Sequence, residues 1–306
     1  MTTAAQTTSD KQKVYEEIID VLATIFGKHA GARAVHAKGE VYKGSFVATA
    51  DALKFCKAPH FTGASIPLTL RLSDFAGIPT LPDTDPNASP RGFAVRFHTA
   101  LGDTDIVAHS YNGFPVANAE EFLEFAKALA SNTIQAFAAE HPATALFAST
   151  PKPTPKSFAN ETFYGVNAFR FLNPSGEMKH ARYQIVPYAG DERLTAEEVA
   201  MKGPNFLFEE LAERLKKGPV EYMLIAQVAD STDNVTDATS IWPESRPKIE
   251  LGKISITSED ADSKAAEKKL IFDPVHVIDG IELSDDPLIL ARSGIYSVSY
   301  SRRNPS

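Results

Sequence analysis

Near the end of the chain, Arg292, Tyr296 and Arg303 are residues whose types and spacing could do chemistry together. Asp286 and Pro287 make a good N-cap and first-turn pair, and predict a helix from 287 to about 300. At 3.6 residues per turn the three side chains fall within about 40° of one another if the stripe persists to 303, so one phenol and two guanidiniums share a face. Toward the other end, His36 lies in Arg33-Ala34-Val35-His36-Ala37-Lys38-Gly39. An imidazole can move protons, but among small apolar residues it reads on composition alone as a hydrogen-bonded structural side chain. Direct metal ligation by side chains finds little support. His29 and His36 are seven positions apart with no third ligand in range, and Glu140-His141 runs into Pro142. Walker and G-x-G-x-x-G spacings are absent from the sequence. Cys56, the single cysteine, can build neither an internal disulfide nor a thiolate cage, so a metal would need other ligands or a cofactor.

Several elements must position these residues. Tyr15, Ile18, Ile19, Leu22, Ile25 and Phe26 recur at helical period behind a Ser9/Gln12 capping-box spacing, and Gly27 stops the run. Short β-like runs follow at 44–49, 66–72 and 92–98, separated by Gly, Pro, Asp and Asn clusters of the kind found in meanders and barrels. Helices are expected at 118–130, with Asn118 and Glu121 as cap and third position, and at about 133–140 before Pro142. After the proline-spaced loop 151–155, strands are expected at 168–172 and 182–186 around the turn 173–176. Helices at 195–201 and 205–217 and strands at 221–228 and 248–256 complete the series, with acidic 258–262 read as a solvated loop.

The 306 residues carry a formal charge of -8, which argues against a surface built to neutralise phosphates and hence against nucleic-acid partners. The nineteen phenylalanines suit either a sizeable core or the walls of a flat apolar ligand. Residues 1–10 show neither the basic n-region nor the apolar h-region of a signal, and no later run approaches the ~18 apolar residues of a membrane span. The expectation is one cytoplasmic domain over 1–306, flexible at 1–8, away from membranes, in a reducing compartment.

The chain resembles the haem catalases. Arg33 to Gly39 is similar to their distal-histidine segment, and Arg71-Leu72-Ser73, Ser89 to Phe97, and Asn112 ahead of Pro115-Val116 follow in the family's order. So do Ile241-Trp242-Pro243, Phe272-Asp273-Pro274 and Gly280-Ile281-Glu282 with Ser284, before Arg292 four residues ahead of Tyr296. The resemblance spans 31–303 and implies an α+β fold: a closed antiparallel β-barrel of about eight strands with flanking α-helices.

It also implies roles. His36 resembles the distal general base and Asn112 its amide partner. Tyr296 resembles the ligand to the iron of haem b, tyrosine being the known axial ligand of catalases, with Arg292 as its cationic neighbour. Arg33, Arg71 and Arg303 resemble the arginines that pair with haem propionates, while Val35 and Phe122 resemble residues packed at the haem. Because a phenol ordinarily titrates near pH 10, an anionic phenol at neutral pH needs a nearby cation, and a guanidinium one turn away supplies one. The implied activity is reduction of hydrogen peroxide or organic hydroperoxides with small organic donors, with weak dismutation. The implied assembly is a homo-oligomer, a dimer favoured.

Two departures stand out. Family members continue well past the tyrosine helix, which predicts a shorter channel here and peroxidase behaviour over dismutation. Asn167 stands where the family is expected to carry histidine, altering the surroundings of Arg292. Rival readings are a dehydratase of lipid hydroperoxides resembling allene oxide synthases, which Val35 in place of threonine disfavours, and a haem-binding protein without turnover, which His36 disfavours.

Overall fold

A computed structural model describes residues 8–305. In chain order the elements are α1 (Thr8–Phe26), β1 (Gly39–Ala48), α2 (Ala50–Phe55), β2 (Ser65–Ser73), β3 (Gly92–Thr99) and β4 (Gly102–His109). Then come α3 (Ala119–Ala130), α4 (Ile134–Glu140), α5 (Pro142–Ser149), β5 (Phe163–Tyr164), β6 (Phe169–Leu172) and β7 (Met178–Pro187). The remainder are α6 (Ala196–Ala200), α7 (Phe206–Leu215), β8 (Val220–Val228), β9 (Lys248–Glu259), α8 (Ser263–Lys269), β10 (Ile281–Leu283) and α9 (Pro287–Arg303).

The antiparallel ladder runs β8-β9-β1-β2-β3-β4-β5-β7 and returns to β8 through the β7–β8 pairing. Eight strands therefore close a barrel, as expected, with β6 and β10 paired beyond β7. Closure leaves these strands no free edge. Ten phenylalanines lie buried in the main core, among them Phe46, Phe93, Phe97, Phe163 and Phe171. Each is worth roughly 1.5–3 kcal/mol relative to exposure. Much of the aromatic content is thus spent on filling the barrel.

His60 is buried in this phenylalanine cluster, with ring centroids 4.0 Å from Phe61 and 4.9 Å from Phe97, and its Nδ1 has no hydrogen-bond partner among the described residues. Burial lowers its pKa to about 3 from an ordinary 6.5. The folded chain therefore binds a proton later than the unfolded chain, and the stability His60 contributes is full above pH 6.5 and lost as pH falls toward 3. His60→Leu should widen its stability advantage by up to about 1.4 kcal/mol per pH unit across that window. Urea unfolding at pH 7.5 and pH 4.5 checks this; parallel losses in both proteins would refute it.

Outside the barrel, α1 and α3 pack with α9 through Ile18, Ile19, Leu22, Leu123, Ala291 and Val298. A Cβ on Gly294 would lie 2.2 Å from the Tyr15 ring, so α1 and α9 approach as closely as they do because position 294 is glycine.

Some expectations change. Ser9 lies inside α1, and Gln12 bonds Glu16 at 2.8 Å, so that spacing is not a capping box. Pro142 opens α5 instead of only ending α4, because proline is well placed in a first turn. The acidic stretch at 258–262 is partly strand, since β9 runs to Glu259. The helices at 50–55 and 263–269 and the strand at 102–109 were not foreseen. The expected flexibility of 1–8 falls, except for Thr8, outside the described residues.

Candidate active site

His36 sits between α1 and β1 with φ 55, a left-handed conformation that costs an ordinary residue about 1–3 kcal/mol. The surroundings over-determine it. The His36 N–H donates to Phe75 O at 2.5 Å, Ala37 N–H to Ala76 O at 3.1 Å, and Arg71 Nη2 donates to His36 O at 2.8 Å. The Ser73 hydroxyl at the end of β2 shares a 3.1 Å hydrogen bond with Nδ1, leaving Nε2 for a ligand. The Phe75 ring meets the imidazole edge-on at 5.5 Å. Gly92, opening β3, is needed here: a Cβ would lie 2.8 Å from Nδ1. Burial, then the Arg71 charge, pushes the imidazole down to about 3, so it is neutral and able to accept a proton at neutral pH.

On α9 the predicted face exists and the helix persists to Arg303. Asp286 caps it, accepting from Leu288 N–H at 2.9 Å. Its other oxygen accepts from Asn167 Nδ2 at 2.7 Å, while Asn167 Oδ1 accepts from Arg292 Nη1 at 2.5 Å. Arg292 Nε in turn donates to the Tyr296 hydroxyl at 3.1 Å. A buried carboxyl, an amide and a guanidinium thus run in a string to one phenol oxygen. Asn167, the expected departure, keeps this string unbroken because an amide can both accept and donate.

Arg33, Arg71 and Arg303 also converge. Arg33 and Arg71 both bind the Glu267 carboxylate, and Arg33 and Arg303 each donate to Leu270 O, at 3.0 and 2.6 Å. Arg303 Nε is buried without a hydrogen-bond partner among the described residues. Burial, with Arg71 next and Arg303 also unfavourable, lowers Arg33 to about 8 despite Glu267. Three guanidiniums around one carboxylate are short of negative charge, the condition of an anion-binding site.

Val35, Phe122 and Ile295, the residue before Tyr296, pack in one apolar cluster between α1, α3 and α9. The Phe122 ring stacks on Phe114 at 6.1 Å, and Phe114 meets His109 at 6.1 Å. Asn112 is half-buried on the loop after β4, and its side chain makes no hydrogen bond among the described residues. The structure also brings His109 toward His36. It pairs with Gly92 across β3 and β4, and cross-strand partners share a sheet face. Among the described residues no cluster of three or more His, Cys, Asp or Glu forms a metal site, and no helix is long and apolar enough to cross a membrane.

Sequence reading missed Ser73, Phe75, His109, Glu267 and the relay role of Asp286. The short apolar run Ile106-Val107-Ala108 leading into His109 was the available signal for His109. The assembled arrangement is a neutral base, a phenol backed by a cation and a cationic cluster, joined by apolar walls that suit a flat acidic ligand.

The "Catalase" family model matches residues 15–304. The chain is 35% identical over 297 residues to a "Catalase-related peroxidase" of Mycolicibacterium paratuberculosis, covering 94% of each chain. It is 33% identical to a protein of that name from Synechococcus elongatus, covering 94% of this chain and 88% of the other. A longer "Catalase" of Alkalihalophilus pseudofirmus is 29% identical, and the match spans 43% of its length. Among solved structures, catalase A from Saccharomyces cerevisiae superposes with a TM-score of 0.81 at 23% identity, over 94% of this chain and 64% of that one.

Proposed function

The chain belongs to the catalase family, and from that premise we propose that it is a haem peroxidase, an oxidoreductase that reduces hydrogen peroxide or organic hydroperoxides with small organic donors. The observation that carries this is the phenol of Tyr296 held at 3.1 Å by Arg292, the head of a relay reaching back to Asp286. It is an oxygen donor of the kind that suits ferric haem, beside the cation that favours its anionic form.

Haem b suits the residues present. Tyr296 would hold the iron, Val35 and Phe122 would wall the macrocycle, and Arg33, Arg71 and Arg303 would receive the propionates, with Glu267 sharing or yielding its place. The orphaned Arg303 Nε and the under-compensated Arg33 fit such an acidic group. When bound, haem supplies the redox chemistry that cleaves the peroxide O–O bond. The chain's part is proton handling: neutral His36 takes the proton from one peroxide oxygen at Nε2 and returns it to the other, so the departing group leaves as water or an alcohol. Nδ1, engaged by Ser73, keeps the ring oriented between the two transfers. The same reading takes 1–306 as one domain, working in the cytoplasm as a homo-oligomer, a dimer favoured.

The test is the absorption spectrum of the purified, haemin-supplemented protein, followed by parallel assays of donor oxidation and oxygen release. A haem-loaded protein that oxidises the donor faster than it releases oxygen is the expected result. A colourless preparation that refuses haemin, or oxygen release in excess, would overturn the reading.

A further inference from the structure

Both ring nitrogens of the half-buried His109, Nδ1 and Nε2, are shielded from solvent and have no hydrogen-bond partner among the described residues. Native buried polar groups are nearly always satisfied, so an imidazole with two orphaned nitrogens is conspicuous in a strand end. The register says where it points. His109 lies opposite Gly92, and the position a Gly92 Cβ would take is 2.8 Å from His36 Nδ1. Directly opposed positions hold their Cβ atoms about 4.5–5.5 Å apart on one face of the sheet, so the His109 side chain starts beside the His36 ring.

Its other neighbours define the same space. The His109 ring has Phe114 edge-on at 6.1 Å and Tyr111 stacked at 6.4 Å, and Phe114 leads to Phe122. Burial, the largest influence, followed by the Arg292 charge and the neighbouring His36 and Lys152, holds its pKa down to about 3. It is therefore a neutral imidazole near neutral pH, carrying one N–H and one lone pair.

We infer that His109 is a second ligand-facing imidazole, whose N–H donates a hydrogen bond to the peroxide while His36 carries the proton. This rests on the haem peroxidase reading and assigns to His109 the part that the family resemblance implied for Asn112. The division of labour is physically consistent: Ser73 orients His36, whereas no partner among the described residues competes for His109, which keeps its N–H available to a ligand.

Fluoride, an anion that accepts hydrogen bonds, is the probe. Ferric wild type, His109→Leu, His109→Gln and Asn112→Leu are matched for haem content by pyridine haemochrome and titrated with fluoride. His109→Leu should weaken fluoride binding about tenfold, the worth of one hydrogen bond to a charged acceptor. His109→Gln, which restores a donor, should recover most of that loss, and Asn112→Leu should bind as wild type does. Unchanged affinity in His109→Leu, a tenfold loss in Asn112→Leu, or a Gln variant as weak as Leu would each overturn the assignment. Should the Leu variant not fold, the Gln variant decides by the same titration: near wild-type affinity supports the donor role, and a tenfold loss refutes it. A wild type that takes up no haem would sink the parent reading, whereas loaded wild type with an unaffected Leu variant sinks only the role of His109.

Discussion

Tyr296→Phe should fold and yet hold almost no haem, with affinity falling by more than the roughly 10- to 100-fold that loss of a supporting partner costs a metal site. The phenol oxygen has one hydrogen-bond partner among the described residues, Arg292 Nε, and Arg292 keeps its bond to Asn167 when the hydroxyl is gone. The structural penalty should therefore be about 1 kcal/mol, that of a single hydrogen bond. Haem content by pyridine haemochrome, set against the thermal midpoint of the apoprotein, separates the two effects. An intact Soret band at full occupancy would remove Tyr296 from the site. Tyr300→Phe is the matched control: Tyr300 stacks against Arg303 one turn on, and its loss should leave haem in place.

His36→Ala should retain haem and slow the first reaction with peroxide by roughly 10²- to 10⁴-fold, the usual contribution of a positioned general base. Stopped-flow consumption of peroxide at matched haem content measures it. Because His36 stays neutral until about pH 3, the wild-type rate should not fall on acidification from neutrality to about pH 5, where an ordinary histidine would already be protonated. Alanine also inherits the φ of 55, so His36→Asn, which tolerates a left-handed backbone, is the companion variant. Undiminished rates in both, or a wild-type rate that drops near pH 6.5, would mean that another group takes the proton.

The helix carrying Tyr296 was legible from spacing because Asp286-Pro287 fixes its start and three residues share a face of a regular helix. His36 was not. It sits in an irregular loop held by long-range hydrogen bonds, and only family resemblance singled it out. The strand bearing His109 escaped because Asp103 and Asp105 interrupt its apolar pattern. Asp105 is nonetheless buried, its charge answered by Arg96 directly across the ladder. Glu267 escaped because α8 has no apolar stripe to mark a helix, and its carboxylate acquires meaning only where Arg33 and Arg71 meet it. Closure of the barrel likewise depends on β7 meeting β8, a pairing that periodicity does not reveal.

The close seat of α1 against α9 at Gly294 and Tyr15 carries a consequence for biogenesis. Arg302 on α9 reaches Asp20 on α1 across 282 positions of sequence, with the whole barrel between them. During synthesis the leading helix has no partner for that face until the ribosome has released the segment bearing Tyr296, and such distant pairings form slowly. The seam between α1 and α9 can therefore form only once the chain through Arg302 is available for folding, however early the barrel strands pair.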